Sequence, residues 1–364
     1  MTDRAFNHSL LLLARQYRGA SQEDTAAKAG LNQGHYSRIE NGLLPEGPSD
    51  ENAERIAAAL GFPVGFFYLS DGLTGLPLSI HPMHRRKASV GERVMKQIHA
   101  ELNIRLIHLR RYMRAANLKP ELPLPEIDPD EGGGPQAIAQ TLRRTWSIPE
   151  GPIPNLTDYC ERAGILVIWC DLEKGIDGVT MRVRDLPPCI FLNRNVPADR
   201  MRASLAHELG HVIMHRIPTE DMEDEANAFA SEFMVPEKQF RRQLIGRSGI
   251  SLDWLALQKA YWRMSMAYLL YKAGAIGSIT RHQSEYAWRK ISSLGWRIRE
   301  PQETDIDFEE PTVFPALLKM HSETLGYDME TIGKLVECKP ADLQTMYRPY
   351  LGRGRQGIRL IVSN

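Results

Sequence analysis

The chain has 364 residues, 43% hydrophobic and 25% charged, with a formal net charge of zero. That length calls for two or three domains, and the composition excludes a disordered or collagenous protein. The charge balance excludes a chain-wide polycation, and four scattered cysteines (Cys160, Cys170, Cys189, Cys338) with no CxxC pair read as reduced thiols of a cytoplasmic protein.

The apolar run "SLLLLA" (Ser9–Ala14) is shorter than a secretory segment and is followed at once by "RQYR". No stretch approaches the ~18 apolar residues of a membrane span, so no membrane partner is expected. Residues 1–75 then read as short, capped helices. "SQED" (Ser21–Asp24) is a capping-box start, "KAG" ends that helix on Gly30, and "NQGHYSRIENG" runs from a cap at Asn32 to a stop at Gly42. "SDENAERIAAALG" follows, with Ala53, Ile56, Ala57 and Leu60 on one apolar face.

Helix, tight turn and helix, with "IENG" closing the second, resemble the phage-repressor-like (Cro/C1, or XRE) helix-turn-helix over about Leu10–Leu69. The resemblance implies a five-helix DNA-binding domain whose second motif helix enters the major groove. Carried over position by position, Gln33, Gly34 and Arg38 would face base edges with His35 nearby, and Gln22 and Asn41 would meet phosphates. Tyr36 falls at a buried position. Gly34 offers no side chain to a base, and residues 1–45 carry five Lys and Arg against four acids, a thin electrostatic footprint.

Residues 76–134 are read as a basic helical segment and a linker. Arg85–Arg114 holds nine Lys and Arg against Glu92 and Glu101, and reads as a solvated helix face. "LKPELPLPEIDPDEGGGP" (Leu118–Pro135) is rich in proline, glycine and acids, holds no helix or core strand, and reads as exposed linker.

In residues 135–275 the pattern predicts helices at about Gln136–Trp146 and Leu156–Ala163. Strands follow at Ile165–Trp169, Gly178–Val183 and Cys189–Asn193, then helices at Arg200–His215 and Asp221–Phe233. The first of these two helices carries "HELGH". His207 and His211 are one turn apart on one face, so both imidazoles can converge on one ion. Glu208 points off that face yet can reach water at the ion, the arrangement of a zinc peptidase with a glutamate base. His215 is another turn along, about 12 Å from His207, too far to share a cation. The following helix is the better source of a third ligand; its buried stripe is flanked by Glu223 and Glu225, between which periodicity does not choose.

Residues from about Leu156 to Pro236 resemble the ImmA/IrrE metallo-endopeptidases, through "YCERAGILVIWCDL", "CIFLN", "RASLAHELGHVIMH" and "EDEANAFASEFMVP" in order. The resemblance implies that Glu223 is the third ligand, that Asn227 supports the ligands from behind, and that Zn2+ is the cofactor, with Mn2+ able to replace it in vitro. It also implies cleavage of one or a few proteins. "PPCIFLN" (Pro187–Asn193) reads either as an edge strand able to pair with an extended substrate or as an internal strand, and Tyr261 and Tyr271 are candidate oxyanion donors. The remaining 276–364 reads as a helical region, with Leu325–Tyr347 like a short helix-turn-helix.

The fold expected is α+β and mainly helical: a helix-turn-helix domain, then a zincin-like HExxH domain with a small antiparallel sheet, then helices. The function expected is a homodimeric, cytoplasmic regulator that binds a palindromic operator in double-stranded DNA and cleaves a repressor- or antitoxin-like partner. Two rivals are a regulator whose peptidase-like domain senses a ligand without cutting and an antitoxin that binds a toxin. Intact His207, Glu208, His211 and Glu223 favour cleavage, because a sensor need not keep a general base.

Overall fold

Caps set the N-terminal helices. In the computed structural model, which describes residues 5–72, 91–173, 175–247, 249–350 and 361–362, α1 (His8–Tyr17), α2 (Gln22–Lys28), α3 (Gln33–Glu40) and α4 (Asp50–Leu60) start on Asn7, Ser21, Asn32 and Ser49. Each cap's side chain accepts a backbone N–H from the first turn. Gly30, Gly42 and Gly61 take positive φ just past their helices. The fifth helix expected here is a 3-10 turn, Val64–Tyr68, whose Phe66 and Phe67 fill the core with Tyr36, Ile39 and Ile56.

The basic segment differs from expectation. Helix α5 (Glu92–Tyr112) is a core element, with Leu102, Ile104, Leu106, Ile107 and Leu109 buried between its charges. Its Arg105 pairs with Glu101, and Arg111 with Asp71, so these two arginines are neutralised internally instead of facing solvent. Arg85, Arg86 and Lys87 lie outside the described residues. Helix α5 leads to a two-residue strand, β1 (Ala116–Asn117), then to an irregular stretch up to α6 (Pro135–Thr145) and α7 (Leu156–Arg162).

That irregular stretch holds no helix, as its prolines require, but it is fastened along the neighbouring helices. Glu121 and Leu122 donate backbone N–H to Arg162, and Ile127 donates to Ile213. Trp146 Nε1 donates to the Pro123 carbonyl, and Glu126 is gripped by Arg182 and Arg216.

Strands β2 (Leu166–Cys170), β3 (Gly178–Met181) and β4 (Cys189–Asn193) form a sheet ordered β2-β4-β3. The sheet is mixed, not antiparallel: β2 runs parallel to β4, and β3 antiparallel to it. β4 is therefore central, and the expected edge strand Pro187–Asn193 has no free edge. All three strands are buried on both faces, which explains their unbroken apolar runs. Leu166, Ile168, Val179 and Phe191 join the core shared with α1 and α5, while Val167, Trp169, Ile190 and Leu192 join the peptidase-like core. The sheet thus divides two cores.

On the second face lie α8 (Ala198–Met214) and α9 (Met222–Met234), followed by α10 (Glu237–Leu244), α11 (Leu252–Trp262), α12 (Met266–Ala275) and α13 (Arg281–Ser293). The chain then returns to the first face. Glu161 accepts N–H bonds from Thr312 and Val313 at 2.9–3.0 Å, anchoring α14 (Val313–Lys319) against β2. Helices α15 (Met329–Val336) and α16 (Pro340–Met346) follow, and β5 (Ile361–Val362) pairs antiparallel with β1. Arg18 of the α1 C-cap grips Asp342 of α16 through two hydrogen bonds of 3.0 and 2.6 Å. The molecule is α+β and mainly helical, and its four cysteines are free and buried. Among the described residues no helix is long and apolar enough to cross a membrane.

Candidate metal centre and nucleic-acid interface

Helices α8 and α9 meet at Gly210. A Cβ there would stand 3.1 Å from Phe229 and 3.3 Å from the Ala226 backbone, so glycine permits the close approach. The approach brings Glu223 of α9 against the histidine face of α8.

The His207 and His211 Nε2 atoms are 3.1 Å apart, and the Glu223 oxygens lie 3.5 and 3.2 Å from them. Four-coordinate ligands about 2 Å from a zinc ion stand roughly 3.3 Å from one another, so these separations fit one cation. Glu223 Oε1 is buried and makes no hydrogen bond although it lies 3.2 Å from His211 Nε2, an orphaned acceptor that a cation would satisfy. Glu225 points elsewhere, to His215, at 3.0 Å. Of the two acids, Glu223 and not Glu225 lies against both histidines.

Burial works against the Glu223 carboxylate, but the adjacent His207 and His211 outweigh it and bring its pKa to about 2. Burial likewise opposes charge on His207, yet Glu223 and Glu208 lift its pKa above the usual histidine value. Both shifts describe a site whose imidazoles and carboxylate want a positive charge among them. Burial, with His211 alongside, lowers His215 to about 4.

Asn227, one turn beyond Glu223, places Oδ1 3.1 Å from His207 Nδ1. That bond puts the His207 hydrogen on Nδ1 and leaves Nε2 free for a cation. Glu208 turns away from the histidines toward β3. It is 4% exposed, and its Oε2 accepts from the Thr180 hydroxyl at 2.7 Å. β3 can approach because Gly178 has no side chain: a Cβ there would sit 2.9 Å from Glu208 Cγ. Of the two tyrosines considered as oxyanion donors, Tyr271 is exposed, and Tyr261 turns its hydroxyl toward Gly151.

Residues 160–273 match the family model described as an IrrE N-terminal-like domain, a peptidase family. Residues 11–67 match the helix-turn-helix model. No curated protein matches the chain significantly. The chain therefore joins a helix-turn-helix DNA-binding domain to a metallopeptidase-like domain, the composition of a DNA-binding regulator with a protease-like part.

On the helix-turn-helix, Gln33, Gly34 and Arg38 are exposed on α3, with His35 half-buried and its Nε2 3.5 Å from Asn52. Asn41 is exposed at the α3 C-cap, where its amide donates to the Ser37 carbonyl. Gln22 differs: its amide donates at 2.6 Å to Glu40, which is itself held by Arg15 and by the buried Tyr36 hydroxyl. Glu40 knits α1, α2 and α3 together, a role that sequence pattern alone did not suggest. His215 and Glu225, weighed in the sequence only as metal ligands, lie against each other at 3.0 Å and not in the ligand cluster.

Proposed function

We propose that the chain is a cytoplasmic, DNA-binding regulator whose zinc endopeptidase domain cleaves a repressor- or antitoxin-like protein. The observation that carries this reading is the convergence of His207, His211 and Glu223 within 4.8 Å, beside a buried glutamate. His207, His211 and Glu223 would hold the zinc ion. When bound, zinc supplies Lewis acidity, which acidifies water and polarises a peptide carbonyl.

Glu208 is the general base and later the acid. It takes a proton from the attacking water and passes it to the leaving amine, while Thr180 holds its far oxygen in place. Gly178 and Thr180 belong to β3, at one end of the sheet order, so an extended substrate pairs there and not on the central β4. The N-terminal unit reads a palindromic operator as a homodimer, with α3 in the major groove and Arg38 the strongest base reader. Residues 1–75 form the DNA-binding part and 135–275 the peptidase, joined by 76–134 and followed by a helical 276–364.

The test pairs the wild-type chain with Glu208→Gln. Both are loaded with zinc and incubated with a peptide library derived from the host proteome, and cut sites are mapped by mass spectrometry. Cuts made only by the wild type are expected. A wild type that holds zinc and cuts nothing that Glu208→Gln leaves intact would replace cleavage with sensing.

A further inference from the structure

His215 is the third histidine at four-residue spacing on α8, and the structure gives it neighbours that are not the cation. Its Nδ1 lies 2.9 Å from Nδ1 of His211, and its Nε2 lies 3.0 Å from Glu225 Oε2. His211 is fully buried and His215 is 3% exposed, so solvent does not replace the bond between them.

The hydrogens can be placed by elimination. The Nε2 of His211 faces Glu223 and His207, so a neutral His211 that binds a cation there carries its hydrogen on Nδ1. Two facing Nδ1 atoms share one hydrogen, so His215 accepts at Nδ1 and carries its own hydrogen on Nε2. That hydrogen is donated to Glu225, a carboxylate that only accepts. Every group in the chain Glu225, His215, His211 then has one consistent role.

We infer that His215 and Glu225 are positioning residues, a relay that holds His211 in the tautomer and ring orientation needed for metal binding. This rests on the reading of His207, His211 and Glu223 as the metal site. The two histidine ligands are supported separately: His207 by Asn227 directly, His211 by Glu225 through His215. Glu223, Glu225 and Asn227 all belong to α9, so docking of that one helix on α8 supplies a ligand and both outer supports together.

The experiment measures zinc affinity of the full chain by competition with a chromogenic chelator, and records the visible bands of the cobalt-loaded chain. His215→Leu keeps the bulk but offers no acceptor, and should weaken zinc binding about 10- to 100-fold and shift the cobalt bands. His215→Gln can accept from His211 and donate to Glu225, and should restore most of the affinity. Glu225→Ala, on a partly exposed side chain, should weaken binding in the same direction by less. Unchanged affinity and bands in His215→Leu, or failure of His215→Gln to restore them, would overturn the relay while leaving the metal site standing. Where His215→Leu does not fold by circular dichroism, Glu225→Ala decides, and unchanged affinity there overturns the relay. A folded wild type that binds no zinc overturns the site itself and the relay with it.

Discussion

In the proposed mechanism Glu208 must be near the metal-binding histidines without being a ligand, and its position on α8 allows this. It follows His207 directly, about 100° further round the helix and so off the face that the two histidines share, and its carboxylate is braced on β3 instead. Glu208→Gln should therefore keep stoichiometric zinc and lose about 10²- to 10⁴-fold in peptidase rate, the usual worth of a general base. His211→Ala should lose most of the metal; retention of one zinc per chain would show that the ligand set is misassigned. Gly178→Ala tests the brace from the other side. A methyl group 2.9 Å from Glu208 Cγ must displace the glutamate or β3, and a misplacement of about 1 Å costs about 10²-fold in rate. Zinc content should not change in Gly178→Ala, because the atoms nearest that added methyl belong to Glu208 and Leu192 and not to a proposed ligand. Loss of metal there would mean that the strand shapes the ligands as well as the base.

The crossing of α8 on α9 sets the ligand geometry, and Gly210 sets the crossing. Gly210→Val would drive its methyls into Phe229 and Ala226, lift α9 and weaken zinc binding without removing any ligand. Normal zinc affinity in a folded Gly210→Val chain would sink that account. On α3, Arg38→Ala should cost about 1–3 kcal/mol of operator binding and relax one base step if the guanidinium is bidentate to guanine. Uniform weakening over all sequences in a binding assay would reassign Arg38 to phosphate. These helices were legible in the sequence because their signals are local: Ser21, Asn32 and Ser49 cap, and glycines 30, 42 and 61 stop. The strands were legible as strands but not in their order. "ILVIW" and "CIFLN" are apolar on both faces, and such runs carry no mark of direction or neighbour, so the sequence does not distinguish the parallel pair from an antiparallel one. Helix α5 was misread for the opposite reason. Its arginines dominate a charge count, while the apolar residues between them decide burial, and Glu101 and Asp71 neutralise two of the charges out of view. Glu223 as the proposed third ligand was legible only through resemblance, since Glu223 and Glu225 flank the same stripe and a fold of α9 on α8 is needed to separate them.

At the scale of the molecule, α5 and the C-terminal helices hold the DNA-binding unit against the sheet, and the junction contains a pH-sensitive group. His108 is fully buried, with the Tyr347 hydroxyl 2.9 Å from its Nδ1 and Tyr347 itself just past α16. Burial, then Arg105 and Arg111, lower its pKa from 6.5 to about 3. The unfolded chain takes up that proton and the folded chain refuses it, so this contribution to stability is intact above pH 6.5 and is lost as pH falls toward 3. The slope is at most about 1.4 kcal/mol per pH unit from this one group. Thermal midpoints should drop between pH 7 and pH 5, and His108→Gln should flatten that drop; equal drops in both chains would remove His108 from the explanation. The same integration bears on whether the peptidase severs its own DNA-binding unit. By composition Leu118–Pro135 reads as an exposed linker, which would lie at high effective concentration beside a peptidase in the same chain. In the folded chain that stretch is instead spent on structure. Glu121, Leu122 and Ile127 bond through the backbone, Pro123 accepts from Trp146, and Glu126 is held by two arginines. A segment must leave such contacts before it can lie along β3 as a substrate, so local unfolding sets the rate of any cut there. Zinc-loaded wild type and Glu208→Gln, incubated alone and mapped by mass spectrometry, should therefore show no Glu208-dependent cleavage between residues 118 and 135. A rapid cut in that interval, present only in the wild type, would make the segment the substrate and release of the DNA-binding unit the output.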